Sequence, residues 1–150
     1  MNDLSYRIAQ LEDVEAVFNY ESKKQFDPNL NEIENQINIW NSNYRTEALN
    51  HYFKLGWSFL ALNKKDEVMG FFMGQPLLFV DKQTQSLWVE FISAENDEVY
   101  TELLDIAYRL SREKHFQRVL FSKEIEAKKL TKDYQFKDLE RSIVYLKTTK

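Results

Sequence analysis

Glu90 lies inside the apolar run Leu87-Trp88-Val89-Glu90-Phe91-Ile92. Burial disfavours a charged carboxylate and raises its pKa, so an acid in such a strand is a candidate general base. Strand alternation puts Trp88, Glu90 and Ile92 on one face, toward a cleft, and Leu87, Val89 and Phe91 on the other. In open solvent, or paired with Lys or Arg, Glu90 would have no such role. Immediately downstream, Ser93-Ala94-Glu95-Asn96-Asp97-Glu98-Val99-Tyr100 leads from strand into helix. A helix N-terminus offers unpaired N–H groups and partial positive charge to an anion. A phosphate site there favours Gly, Arg, Lys or Gln, whereas this chain has Glu95, Asp97 and Glu98, with Tyr100 just inside the helix. Asn96 or Asp97 as cap and Glu98 in the first turn stabilise such a helix by about 1 kcal/mol. The chain's own side chains are thus expected to occupy those N–H groups.

Little other chemistry is offered. His51 and His115 are single histidines with no second ligand at helical spacing, so both are expected in solvent and no metal is expected. Cysteine is absent, which excludes disulfides, thiolate catalysis and cysteine-held metal. No Gly-x-Ser-x-Gly elbow, Walker loop or dinucleotide glycine fingerprint occurs. The net charge of −4, with Lys and Arg scattered, disfavours a nucleic-acid partner, which needs a concentrated basic surface. The start of the chain has no apolar signal core. No apolar run approaches the roughly 20 residues that span a bilayer. The expectation is a cytoplasmic protein without a membrane partner.

The elements that would position these residues follow from periodicity. The 150 residues, 43% hydrophobic, suit a single domain, 1–150, with one core. The 15% aromatic content builds a heavy core, with a binding cleft or an apolar dimer face as its other uses. Ser5–Ala9 reads as a strand, and about Leu11–Tyr20 as a helix facing inward through Leu11, Val14, Val17 and Phe18. Leu30, Ile33, Ile37, Trp40 and Tyr44 then form one continuous helical stripe, expected to be buried. Asp27-Pro28 starts that helix and Gly56 ends it in the left-handed conformation. Trp57–Leu62, Val68–Gly74 and Ser86–Ser93 form a strand meander. Asn63–Glu67 is its first loop, Pro76 marks an edge, bend or bulge, and Leu77–Val80 continues the second strand. A helix over about Asp97–Lys114 precedes a buried strand Arg118–Ser122. A short helix Lys123–Leu130, with a solvated charged face, and strands near Tyr134–Lys137 and Ser142–Lys147 complete the chain. This order predicts an α+β fold with a mixed, mainly antiparallel sheet and one right-handed parallel crossover from Leu87 to Ser122.

The pattern resembles a GNAT-superfamily N-acyltransferase over nearly all of the chain. Tyr6-Arg7-Ile8-Ala9 with Glu12-Asp13-Val14 is similar to the family's first strand and helix. Val68-Met69-Gly70-Phe71 is similar to its third strand, and Ala127-Lys128-Lys129-Leu130 followed by Tyr134-Gln135-Phe136 to its helix-to-strand tail. The resemblance implies a three-layer α/β/α domain. It also implies acetyl-CoA, or another acyl-CoA, in a V-shaped gap between the fourth and fifth strands, and a small-molecule or protein amine as acceptor. In the family, an Arg/Gln-x-x-Gly-x-Gly/Ala loop presents backbone N–H groups to the pyrophosphate, and its glycines let the backbone approach closely. Aligned on Leu103-Leu104, that motif falls on Glu95, Glu98 and Tyr100, so every member differs. The family's Asn after the fifth strand falls on Glu124, its general-acid tyrosine on Thr131 and its tail glycine on Gln135. A threonine hydroxyl is too weak an acid to replace the tyrosine. One carboxylate about 5 Å from a phosphate charge costs roughly 3 kcal/mol at an effective dielectric near 20.

Three functions therefore compete on sequence: an acyl-CoA N-acyltransferase with an altered cofactor loop, a non-catalytic binding or scaffold protein on the same fold (a pseudoenzyme), and an acyltransferase whose donor is bound to a carrier protein. The fold alone does not choose among them.

Overall fold

The computed structural model describes residues 3–122, 124–125, 136–139 and 141–149. Five strands, β1 (Ser5–Ile8), β2 (Phe59–Leu62), β3 (Val68–Val80), β4 (Gln83–Ala94) and β5 (Arg118–Phe121), form one sheet in the order β1-β2-β3-β4-β5. The first four are antiparallel neighbours and β5 runs parallel to β4. Helices α1 (Val14–Gln25), α2 (Glu32–Trp40) and α3 (Thr46–Leu55) lie between β1 and β2 in the chain, and α4 (Asp97–Glu113) makes the crossover. The strand alternation splits the core in two. Leu60, Leu62, Phe71 and Met73 pack with α1 and α3, while Ala61, Phe72, Leu87 and Val89 pack with Val99, Leu103 and Ala107 of α4. The expected α+β, mainly antiparallel three-layer architecture is the one observed.

Local chemistry accounts for the turns. Asn63 Oδ1 accepts from the N–H groups of Lys65 and Glu67 in the first hairpin. Asp81 and Lys82, both at positive φ (51° and 66°), make the two-residue turn that a twisted hairpin prefers. Gly56 ends α3 at φ 79°, as expected. Arg7 clamps Asp13 through two bonds of 2.7 and 2.8 Å, tying β1 to the turn before α1. The Asp13 carboxyl is held below the ordinary Asp value, chiefly by the Arg7 hydrogen bonds and further by the Gln10 N–H. A depressed folded-state pKa contributes stability above the unfolded value of about 3.9, and that contribution is lost as pH falls through the folded value. The stability gap between wild type and Asp13→Asn should therefore shrink in urea titrations as pH drops below about 4. A gap independent of pH would refute this linkage.

The long stripe departs from expectation. Two helices replace one, because Asn41, Ser42 and Asn43 interrupt it. Asn41 N–H and Ser42 Oγ turn back onto the carbonyls of Ile37 and Ile39. The cap of α2 is Asn31, whose side chain accepts from Glu34 N–H, and not Asp27. Tyr44 is buried between Phe18 and Phe91. Ile33, Ile37 and Trp40, however, are 71%, 45% and 61% exposed, because the inward side of α2 is the one bearing Asn35. The Asn35 amide bonds the carbonyls of Asp27 and Asn31 and the N–H of Asp27, which fixes the α1–α2 loop. Leu11 is also exposed, on a 3-10 turn ahead of α1.

At the far end, β5 is half-buried and not fully buried, being the outermost described strand. Ser142–Lys147 forms no strand and is exposed, with no strand beside it among the described residues. Phe136 packs near Phe121, at 6.1 Å between ring centroids, but neither it nor Lys137 is in a strand. Most of the expected Lys123–Leu130 helix, together with Thr131, Tyr134 and Gln135, lies outside the described residues. Among the described residues, no helix is long and apolar enough to cross a membrane.

Candidate functional site

The sheet opens between β4 and β5. Their pairing runs from Ser86↔Arg118 to Val89↔Phe121 and stops, while β4 continues to Ala94. The β4 backbone from Glu90 onward therefore has no β5 partner on that side. At the point of opening β4 is bulged: Met73 pairs with Phe91 and Gly74 with Val89, leaving Glu90 as the extra residue. The bulge overturns the expected alternation. Ile92 joins Leu87 and Val89 on the α4 side, and Phe91 turns to the α1/α3 side. One inserted residue reverses the face of everything that follows it.

Glu90 is half-buried, and its Oε2 accepts from Trp88 Nε1 at 2.6 Å. No ion pair to Glu90 occurs among the described residues. The buried Tyr52 of α3 lies beside it. Burial first, and the nearby Glu90 second, push the Tyr52 phenol up to about 12, so it stays protonated at neutral pH. His51 is exposed, as expected, and meets Gln75 Oε1 at 2.8 Å. His115 is exposed in the turn after α4.

A second carboxylate, missed in the sequence, faces the open end of β4. Glu21 is fully buried on the α1 face shared with Val14 and Val17. Its Oε1 accepts from Ser93 Oγ at 2.5 Å and its Oε2 from Gln25 Nε2 at 2.6 Å. Lys24 Nζ adds bonds to Ser93 Oγ (2.9 Å) and the Ala94 carbonyl (2.6 Å). The signal was present, because Glu21 falls at i+4 from Val17 and i+7 from Val14. The sequence reading ends this helix at about Tyr20, five residues before its observed end at Gln25. Beside this network, a cavity of about 270 Å³ lies between α1 and α2, lined by Ser22, Gln25, Asn38 and Tyr44 among others. It opens on the sheet face opposite α4.

The start of α4 is occupied by the chain itself. Asn96 Oδ1 accepts from Val99 N–H at 3.0 Å, as expected of the cap. Ser93 is not a cap, being engaged by Glu21 and Lys24. The Tyr20 hydroxyl sits between the Met69 carbonyl (3.3 Å) and Glu95 Oε2 (3.2 Å). Burial and the Glu95 charge raise the Tyr20 pKa well above that of a free phenol. The Tyr100 ring is half-buried against the α4-side core. Glu95, Asp97 and Glu98 are all exposed around the helix start. Of the downstream alignment positions only Glu124 is described. It is exposed, and its N–H bonds Ser122 Oγ.

No family model matches the chain, and no curated protein matches it in sequence. Solved structures do match it along its length. A predicted acetyltransferase from Clostridium acetobutylicum, solved with acetyl-CoA, is 14% identical at a TM-score of 0.65, covering 95% of this chain and 96% of that one. An aminoglycoside N-acetyltransferase solved with CoA is 17% identical at 0.62, covering 99% and 97%. A ribosomal-protein-alanine N-acetyltransferase from Brucella melitensis is 12% identical at 0.62, covering 95% and 99%. At such identities the likeness is one of architecture, and together with the five-stranded mixed sheet and its α4 crossover it shows that this chain has the GNAT fold.

Proposed function

We propose that this protein is a GNAT-fold, N-acyltransferase-like protein that holds an acyl thioester by its pantetheine arm in the β4–β5 gap and not by nucleotide phosphates. The observation that carries this reading is the contrast between the two halves of the donor site. Among the described residues, the β4 backbone past Glu90 has no β5 partner, so an extended, amide-bearing arm could lie along it as an added strand would. The α4 start, with one N–H capped by Asn96 and three carboxylates around it, does not fit a pyrophosphate.

A bound thioester would supply an activated carbonyl carbon. On the protein side, Glu90 at the bulge, oriented by Trp88 Nε1, would accept the proton that an acceptor amine loses as its nitrogen bonds the carbonyl carbon and the C–S bond breaks, the departing thiolate taking a proton from solvent. The amine, a small molecule or a protein terminus, would approach from the α1/α3 face, since the other face is filled by α4. A carrier-protein-bound donor presents the same arm and belongs to the same reading.

Calorimetric titration with acetyl-CoA and with acetyl-pantetheine tests it. The two should bind with dissociation constants within about tenfold of each other, because the nucleotide adds no net contact. Micromolar acetyl-CoA binding about a hundredfold tighter than acetyl-pantetheine would overturn the proposal. Silence from both ligands would favour the non-catalytic reading, which the Tyr20–Glu95 contact and the occupied helix cap also suit.

A further inference from the structure

We propose that the outward face of α2 is a homodimer interface, covered by the same face of a second copy of this chain. α2 is turned inside out relative to an ordinary surface helix. Its buried residue is the polar Asn35, and Ile33, Ile37 and Trp40, at i, i+4 and i+7, point the opposite way. At about 100° per residue, Asn35 lies some 200° around the helix from Ile33. The three side chains expose roughly 350 Å² of apolar surface in one row, a patch of the size that marks interaction sites on soluble proteins. Two such rows, with Glu34, Gln36 and Asn41 as rim, reach about the 1,000 Å² expected of a specific interface.

The charges select the occupant. α2 contains no Lys or Arg, so nothing on it attracts an anionic membrane. Its first turn carries Glu32 and Glu34, and Arg45 follows its C-terminal end. Antiparallel pairing about a two-fold axis near Ile37 sets the acidic turn of one copy beside Arg45 of the other. It also opposes the helix dipoles, whereas parallel pairing would stack acid on acid. Arg45 is available for this, since its contact with Glu47 is a long 3.9 Å pair between exposed side chains.

Sedimentation equilibrium of the full chain tests the proposal. Wild type should be dimeric below about 100 µM, within the affinity range of interfaces this size. The double variant Ile37→Glu/Trp40→Glu should dissociate at least about a hundredfold more readily, with unchanged circular dichroism and melting. The chain has no cysteine, so Ile37→Cys should give a disulfide-linked dimer on mild oxidation while Glu113→Cys on α4 does not. A monomeric wild type at about 100 µM, or a dimer that survives the double substitution, would overturn the proposal. So would a dimer abolished by Val144→Asp/Leu146→Asp, because the exposed apolar tail would then be the cover.

Discussion

Replacing Glu95 by Arg and Glu98 by Gln should tighten acetyl-CoA binding by about thirty- to a hundredfold and leave acetyl-pantetheine binding unchanged. Both carboxylates are exposed at the start of α4. Solvent screening therefore brings their cost to a phosphate below the roughly 3 kcal/mol each would exert at 5 Å in a dielectric near 20. About 1 kcal/mol per carboxylate removed, plus the gain from one added guanidinium, gives the stated range. Tyr100 is best retained. Its ring packs on the α4-side core, so replacement by Gly would add a packing loss to the roughly 1 kcal/mol helix cost. The Asn96 cap stays in place in this variant, so any gain comes from charge alone. Calorimetry with both ligands separates the outcomes. Equal tightening of both would mean the acids act on the arm and not on the phosphates. No change in either would remove the electrostatic account of the altered loop.

Gly70→Val should lower stability by about 3 kcal/mol or more, seen as a reduced urea midpoint at unchanged slope. A Cβ at Gly70 would lie 2.9 Å from the Ser93 carbonyl oxygen and 2.9 Å from Val99 Cγ1. The first neighbour is backbone of the adjacent strand and the second is the first buried residue of α4, so neither can move alone. The glycine is there because α4 presses directly onto the sheet where β4 ends. Gly56→Ala is the contrast. Its Cβ would meet nothing within 4 Å, so its cost is only the strained φ of 79°, about 1 kcal/mol. Equal losses at the two sites would refute the close-approach explanation.

The sequence by itself determined the meander, the crossover and the acidic helix start. Each rests on interactions between residues close in the chain. Period-two apolar runs made β2, β3 and β4 legible, Gly56 marked the end of α3, and Asn96 could be read as a cap because its partner, Val99, is three residues away. Three features were decided only by the tertiary structure. The bulge at Glu90 depends on how β3 and β4 align across a hairpin, and it reversed the faces of Phe91 and Ile92. Glu21 became a site residue because α1 continues to Gln25 and lays its carboxylate on Ser93, 72 residues away. The Ile33-Ile37-Trp40 stripe has the periodicity of a buried face, but periodicity states only that one side of a helix is apolar. The bonds of Asn35 to the α1–α2 loop turned that side outward.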